Sequence, residues 1–264
     1  MKINTSKTRN AIITSGIDQF FKDIYQVFNF AGLFFKEAFV PPFKGREILR
    51  QFYNVGVRSL PLISVTGFVT GIVFTKQSRP SLAEFGATSW LPSLVAIAIL
   101  RALAPLITAL ITSGKVGSNI GAELGSMKVT EQIDAMEVSA SNPFKFLVVT
   151  RVIATTLMIP VLMFYTSFIA LLGGYINVHF NEATSFASFI EKAFERITFL
   201  DLFASLIKSL FFGFTIGIVS CYKGYTTSMG TRGVGIAANS AVVTSMFLVF
   251  VEEIVAVQIT SWFR

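Results

Sequence analysis

The sequence is poor in the groups that most enzymes work with. It holds one cysteine, Cys221, and one histidine, His179. A single cysteine excludes an internal disulfide and makes a thiolate zinc site implausible, and a single histidine excludes a multi-histidine metal site. Around His179 there is no Ser-His-Asp or Cys-His arrangement for nucleophilic catalysis. Charge is scarce too: 14% of residues are charged, against about 25% in a soluble domain. That is too little polar surface to coat a soluble core. A phosphate-cradling loop is missing, because Gly114-Lys115 lacks the upstream glycine and the following Ser/Thr of a P-loop. Asp18, Lys22 and Asp23 interrupt the first apolar residues, and no small-residue cleavage site follows, so no cleavable signal is expected. The apolar runs do not alternate as the strands of a membrane barrel would.

What is present is apolar. Hydrophobic residues make up 53% of the chain, Phe alone occurs 28 times, and mean hydropathy is +0.66. Five apolar runs, at 52–75, 91–113, 146–176, 202–222 and 236–262, reach the roughly 20 residues that cross a bilayer. The expectation is an all-α integral membrane protein, a single domain over 1–264 with five transmembrane helices. Residues 8–38 differ. Ile13, Ile17, Phe20, Phe21, Ile24, Phe28, Ala31 and Phe35 share one helical face, opposite Asp18, Lys22, Gln26 and Asn29. This predicts an amphipathic helix lying in the membrane interface; the alternative is the same face packed on a soluble partner. Gly67 and Gly71 sit four apart in the first run, a spacing that lets another helix approach closely. Pro61 and these glycines also leave open a run that kinks or turns back. Residues 76–90 read as a short polar loop, and 177–201 as a loop carrying a short amphipathic helix.

Lys and Arg orient the spans. Nine of them precede residue 59, and Lys115, Lys128, Lys145, Arg151, Lys223 and Arg232 fall on the same side. The other side holds Lys76, Arg79, Lys192, Arg196 and Arg264. Retention of basic residues inside puts the N-terminus in the cytoplasm and the C-terminus outside. It also explains the net charge of +7 without a nucleic acid partner. Residues 113–143 then lie in the cytoplasm. There Gly117, Gly121 and Gly125 share one helical face suited to close packing at the end of the second span. Met127–Val138 predicts a short helix with Val129, Ile133 and Met136 as an apolar stripe. Lys128, Glu131, Gln132, Asp134 and Glu137 are its polar residues. The alternatives are a solvated loop helix and a docking element for another chain. Sidedness, glycine packing and the lack of internal chemistry favour docking.

Of the charges within the runs, Arg101, Lys208 and Glu253 need a partner, a watery cavity or a route to the interface, and Glu252 adjoins Glu253. Each costs at least ~2.5–3.5 kcal/mol in the bilayer. Lys208 and Glu253 lie at similar depths, about two turns from the outer ends of their runs. They either pair or line an outward cavity, or Lys208 snorkels to the interface. Arg101 is too central to snorkel and needs an ion pair or backbone carbonyls.

The run GKVGSNIGAELGSMKVTEQIDAMEVSASNPFKFLVVTR closely resembles the signature region of the MlaE (YrbE) family, the permeases of Mce-type ABC transporters. The resemblance extends to RQFYNVGVRSL at 50–60, LRALAPLITALITSGKVGS at 100–118 and DLFASLIKSLFFG at 201–213. It implies a permease subunit without catalytic activity that moves phospholipids between the inner and outer membranes of Gram-negative bacteria. Sterol-like or other hydrophobic cargo is the alternative, as is a non-transporting anchor for a cytoplasmic complex. It implies a homodimer in the inner membrane, two cytoplasmic ATPase subunits that bring the ATP and Mg, and a periplasmic ring of Mce-domain proteins. No cofactor is implied for this chain. Met127–Val138 matches the family's coupling helix, Lys208 a lysine of the fourth span, and Glu253 falls near an acidic position of the fifth. Lipid tails would occupy a central cavity of the dimer lined mainly by the first, second and fifth spans. The chain departs from the family at Leu100-Arg101-Ala102, where Leu-Arg-Glu is usual, and Glu252 beside Glu253 is a second local difference.

Overall fold

A computed structural model describes residues 25–41, 44–182, 184–228 and 230–263. Among them only helices form, and five are long and apolar enough to cross a membrane. The chain divides into two units, 1–43 and 44–264. In the first, residues 25–38 form helix α1, with Tyr25, Phe28 and Phe35 exposed. Residues 8–24 of the expected interfacial helix lie outside the described residues.

The second unit opens with α2, Gly45–Val55, and a tight turn at Val57–Ser59. Helix α3, Leu60–Glu84, follows. Pro61 occupies its first turn, where a missing N–H costs no helical bond. The 25 residues of α3 extend about 37 Å at 1.5 Å each, so the first run is one continuous helix, long enough to cross a bilayer and not turned back on itself. The helix also passes through Pro80, which corrects the loop expected at 76–90. Polarity marked those residues as loop, yet Lys76, Gln77 and Arg79 are adequate helix formers. Arg79 is moreover anchored, at 3.4 Å from Glu182 and 3.0 Å from Asn181.

Helix α4, Thr88–Val129, is 42 residues long and carries the second run well past residue 113. A short α5, Gln132–Val138, leads to α6, Phe144–Glu182. Then come α7, Phe186–Phe194, α8, Phe199–Tyr225, and α9, Thr231–Trp262. Ser185 caps α7 by accepting the Ser188 N–H, and Phe189 and Ala193 bury its inner face. One end of the bundle thus carries α7 and the other carries α5.

Helix α6 is the central post, touching α2, α3, α4 and α8. Small residues set these contacts, as they do where packing alone drives association. A Cβ on Gly71 would lie 1.8 Å from the Ala170 carbonyl oxygen, so α3 meets α6 backbone to backbone. Gly213 does the same for α8, its Cβ position being 2.6 Å from the Thr155 carbonyl oxygen. Thr108 and Thr166 hydroxyls, 2.7 Å apart, tie α4 to α6 inside the core.

Candidate functional site

The site begins with a defect in α4. Residues Ile99–Leu103 form a π-turn in which the Ala104 N–H bonds the Ile99 carbonyl, one residue further back than in an α-helix. The Leu100 carbonyl therefore loses its usual donor. Pro105 has no N–H, so the Arg101 carbonyl loses its donor as well. Buried carbonyls need partners, and α8 supplies both. Ser205 Oγ donates to the Leu100 carbonyl at 2.8 Å, and Lys208 Nζ to the Arg101 carbonyl at 2.9 Å. The ridge of α8 is thereby registered against the irregular turn of α4.

The intramembrane charges pair at the same level. Lys208 Nζ lies 2.9 Å from Glu253 Oε1, which joins α8 to α9. Both side chains are largely buried. Arg101 reaches toward the α7 end and meets Asp201 at 2.7 Å. Asp201 is fully buried and also accepts the Thr198 N–H and hydroxyl, completing a capping box at the start of α8. Sequence reasoning placed Asp201 in the loop and missed it as the partner of Arg101. The Thr-x-x-Asp spacing was the signal that could have found it.

Two cavities open at this cluster. One, about 590 Å³, lies between α8 and α9, walled by Phe203, Ile207, Phe211, Val255 and Ile259, with Lys208 and Glu252 as its charged lining. The other, about 350 Å³, brings together Arg101, Ala102, Asp201 and Lys208. Within one chain the cavities are thus built by the second, fourth and fifth spans. The first span packs on α6, where Gly67 sits against Thr166 and Gly71 against Ala170. Ala102 lines the second cavity beside Arg101.

The α5 end holds the other candidate residues. The single helix expected over Met127–Val138 is interrupted, which is a correction. Helix α4 ends at Val129, Glu131 adopts φ 58° in the left-handed region, and α5 starts at Gln132. Neither glycine nor proline marks this break in the sequence. Across it, Lys128 pairs with Asp134 at 2.8 Å, a local closure that compensates the strained turn. Ile133 is fully buried and pins α5 to the bundle. Met127 is half-buried on α4, while Glu131, Gln132 and Glu137 are exposed. Gly117 faces Ser220 of α8, Gly121 faces Ala237 and Ala241 of α9, and Gly125 faces Thr227 and Ala237. Behind them Arg151, buried on α6, holds Glu123 of α4 at 3.0 Å.

A model of the family described as Permease MlaE matches residues 48–259. A probable ABC transporter permease protein of Rickettsia typhi is 34% identical over 230 residues, 87% of this chain and 88% of the relative. One of Synechocystis sp. is 37% identical over 208 residues, 79% of each chain. One of Pyropia yezoensis is 36% identical over 211 residues, 79% of this chain and 80% of the relative.

Proposed function

The chain belongs to the MlaE permease family and is a multi-pass ABC transporter permease, and from that premise we propose that its cargo is lipid, phospholipid in the first instance. An ABC permease implies an ATPase partner. In the proposed assembly two copies of this chain sit in a bacterial inner membrane, N-terminus in the cytoplasm and C-terminus in the periplasm. A cytoplasmic ATPase dimer supplies ATP and Mg, and an Mce-domain ring receives lipid bound for the outer membrane.

The observation that carries the lipid reading is the character of the larger cavity. Its walls are Phe203, Ile207, Phe211, Val255 and Ile259, and charge enters only at Lys208 and Glu252. A site that is apolar over most of its lining and charged at one place suits an amphipathic molecule. Acyl chains would lie along the apolar walls and the headgroup at the charges. At the opposite end, α5 offers a buried anchor, Ile133, and exposed acids, Glu131 and Glu137. That combination supports docking on the ATPase, with its motion passed to α4 through the Lys128–Asp134 pair and on to α6 through the Glu123–Arg151 pair.

Mass spectrometry of lipid retained by the purified chain tests this reading. Phospholipid should survive detergent washing and be lost when Phe203 and Phe211 are both changed to Asp. Recovery of no lipid, or equal recovery from that variant, contradicts it.

A further inference from the structure

Among the described residues, the charges around the two cavities do not balance. Two cations, Arg101 and Lys208, face three carboxylates, Asp201, Glu252 and Glu253. Arg101 is committed to Asp201 at 2.7 Å and Lys208 to Glu253 at 2.9 Å. Lys208 spends a further proton on the Arg101 carbonyl. Glu252 is left without a cation among the described residues. Its Oε1 accepts the Thr215 hydroxyl, and its Oε2 is buried with no hydrogen-bond partner. Burying an unmatched carboxylate is costly, and the cost falls only when a positive donor meets it.

Position gives this imbalance a use. Glu252 belongs to the lining of the 590 Å³ cavity, whose other residues are almost all apolar. Thr215 on α8 holds the carboxylate from the side, which fixes its orientation and spends only one oxygen. A compact cation that arrives with long apolar chains fits both features. We propose that Glu252 is a specificity-determining residue that binds the ammonium group of a zwitterionic amino-headgroup lipid. The inference rests on the lipid reading above and adds the headgroup class. The occupant is a lipid ammonium and not a free metal ion, because the cavity walls offer carbon surface where a hydrated ion needs oxygen ligands.

The test uses the full chain in nanodiscs made from equal amounts of phosphatidylethanolamine and phosphatidylglycerol. The chain is extracted in detergent, and the ratio of the two lipids it retains is measured. A charge-assisted hydrogen bond gives about tenfold discrimination, so wild type should be enriched in phosphatidylethanolamine by about that factor. Glu252→Gln keeps the shape and the Thr215 contact, and should bring the ratio toward that of the nanodisc. Thr215→Val frees the carboxylate to swing and should lower the ratio in part, which serves as a second reading if Glu252→Gln folds poorly. Retention of both lipids in equal amounts by wild type overturns the headgroup inference and leaves the lipid reading standing. So does unchanged enrichment in both variants. Loss of the enrichment on adding millimolar sodium or magnesium also overturns it, because the site would then belong to a free cation. Retention of no lipid at all overturns both readings together.

Discussion

Lys208 Nζ lies 2.9 Å from the backbone carbonyl of Arg101, the carbonyl that Pro105 leaves without a helical donor. The same ammonium is 2.9 Å from Glu253. One side chain therefore connects three spanning helices: a broken turn in α4, its own position in α8 and a carboxylate in α9. Removing it strands two acceptors at once.

Lys208→Met should accordingly be more damaging than the loss of one ion pair. It leaves Glu253 beside Glu252 with no cation, and breaking a buried pair costs about 3–5 kcal/mol. The double variant Lys208→Met/Glu253→Gln should be more stable than Lys208→Met alone, with a coupling of about 1–3 kcal/mol. Thermal unfolding in detergent of the two single variants and the double completes the cycle. Strict additivity would show that the pair carries no energy.

Asp201 does two jobs, and two substitutions separate them. Asp201→Asn keeps an oxygen for the Thr198 N–H and loses the charge that faces Arg101. Asp201→Ala loses both, and the cap alone is worth about 0.5–2 kcal/mol. The expected order of melting temperature is wild type, then Asn, then Ala. Arg101 is the more forgiving partner, since its side chain is 30% exposed and Asp201 is fully buried. Arg101→Ala should fall between wild type and Asp201→Ala.

The five spans were legible because a run of apolar residues long enough for a bilayer has few other fates. Their ends were not. Lys76 to Glu84 continue α3 because a helix leaving the apolar zone keeps its hydrogen bonds whatever its side chains. The pairing of Lys208 with Glu253 was one of the alternatives read from their matched depths. Asp201 sits at the edge of its span, where an acid reads as part of the adjoining loop, and only the Thr-x-x-Asp spacing marks it. The π-turn at Ile99–Leu103 has only Pro105 as a trace, and the left-handed Glu131 has none. At the first, α8 takes up the freed carbonyls, a tertiary contact the local sequence does not show; at the second, the pair of Lys128 with Asp134 closes the turn locally.

Backbone contact at Gly71 gives a sharp contrast. Gly71→Ala forces a methyl into the Ala170 carbonyl, since its Cβ position lies 1.8 Å away. The helices α3 and α6 must separate, at about 1–3 kcal/mol. Gly235 lies inside α9 with nothing within 4 Å of a Cβ. Gly235→Ala should stabilise by up to about 1 kcal/mol, the propensity difference. Melting temperatures moving in opposite directions for the two variants are the expected outcome.

The break before α5 makes its own prediction. Glu131 holds a left-handed backbone at a cost of about 1–2 kcal/mol for a residue with a Cβ. Glu131→Gly should hold or raise the melting temperature. In an unbroken helix the same change would lower stability by about 1 kcal/mol. Glu137→Lys reverses an exposed charge and should leave the melting temperature within about 0.5 kcal/mol of wild type while weakening recovery of the ATPase in a pull-down.

The proposed function is lipid movement driven by a partner ATPase through this chain. The direct measurement is transfer of a fluorescent phospholipid from proteoliposomes holding the complete assembly, with ATP and with a non-hydrolysable analogue. Transfer should require hydrolysable ATP, fall sharply with Lys208→Met, and fall with Glu137→Lys in proportion to the ATPase lost. Transfer that proceeds equally with the analogue, or that survives omission of this chain, contradicts the account.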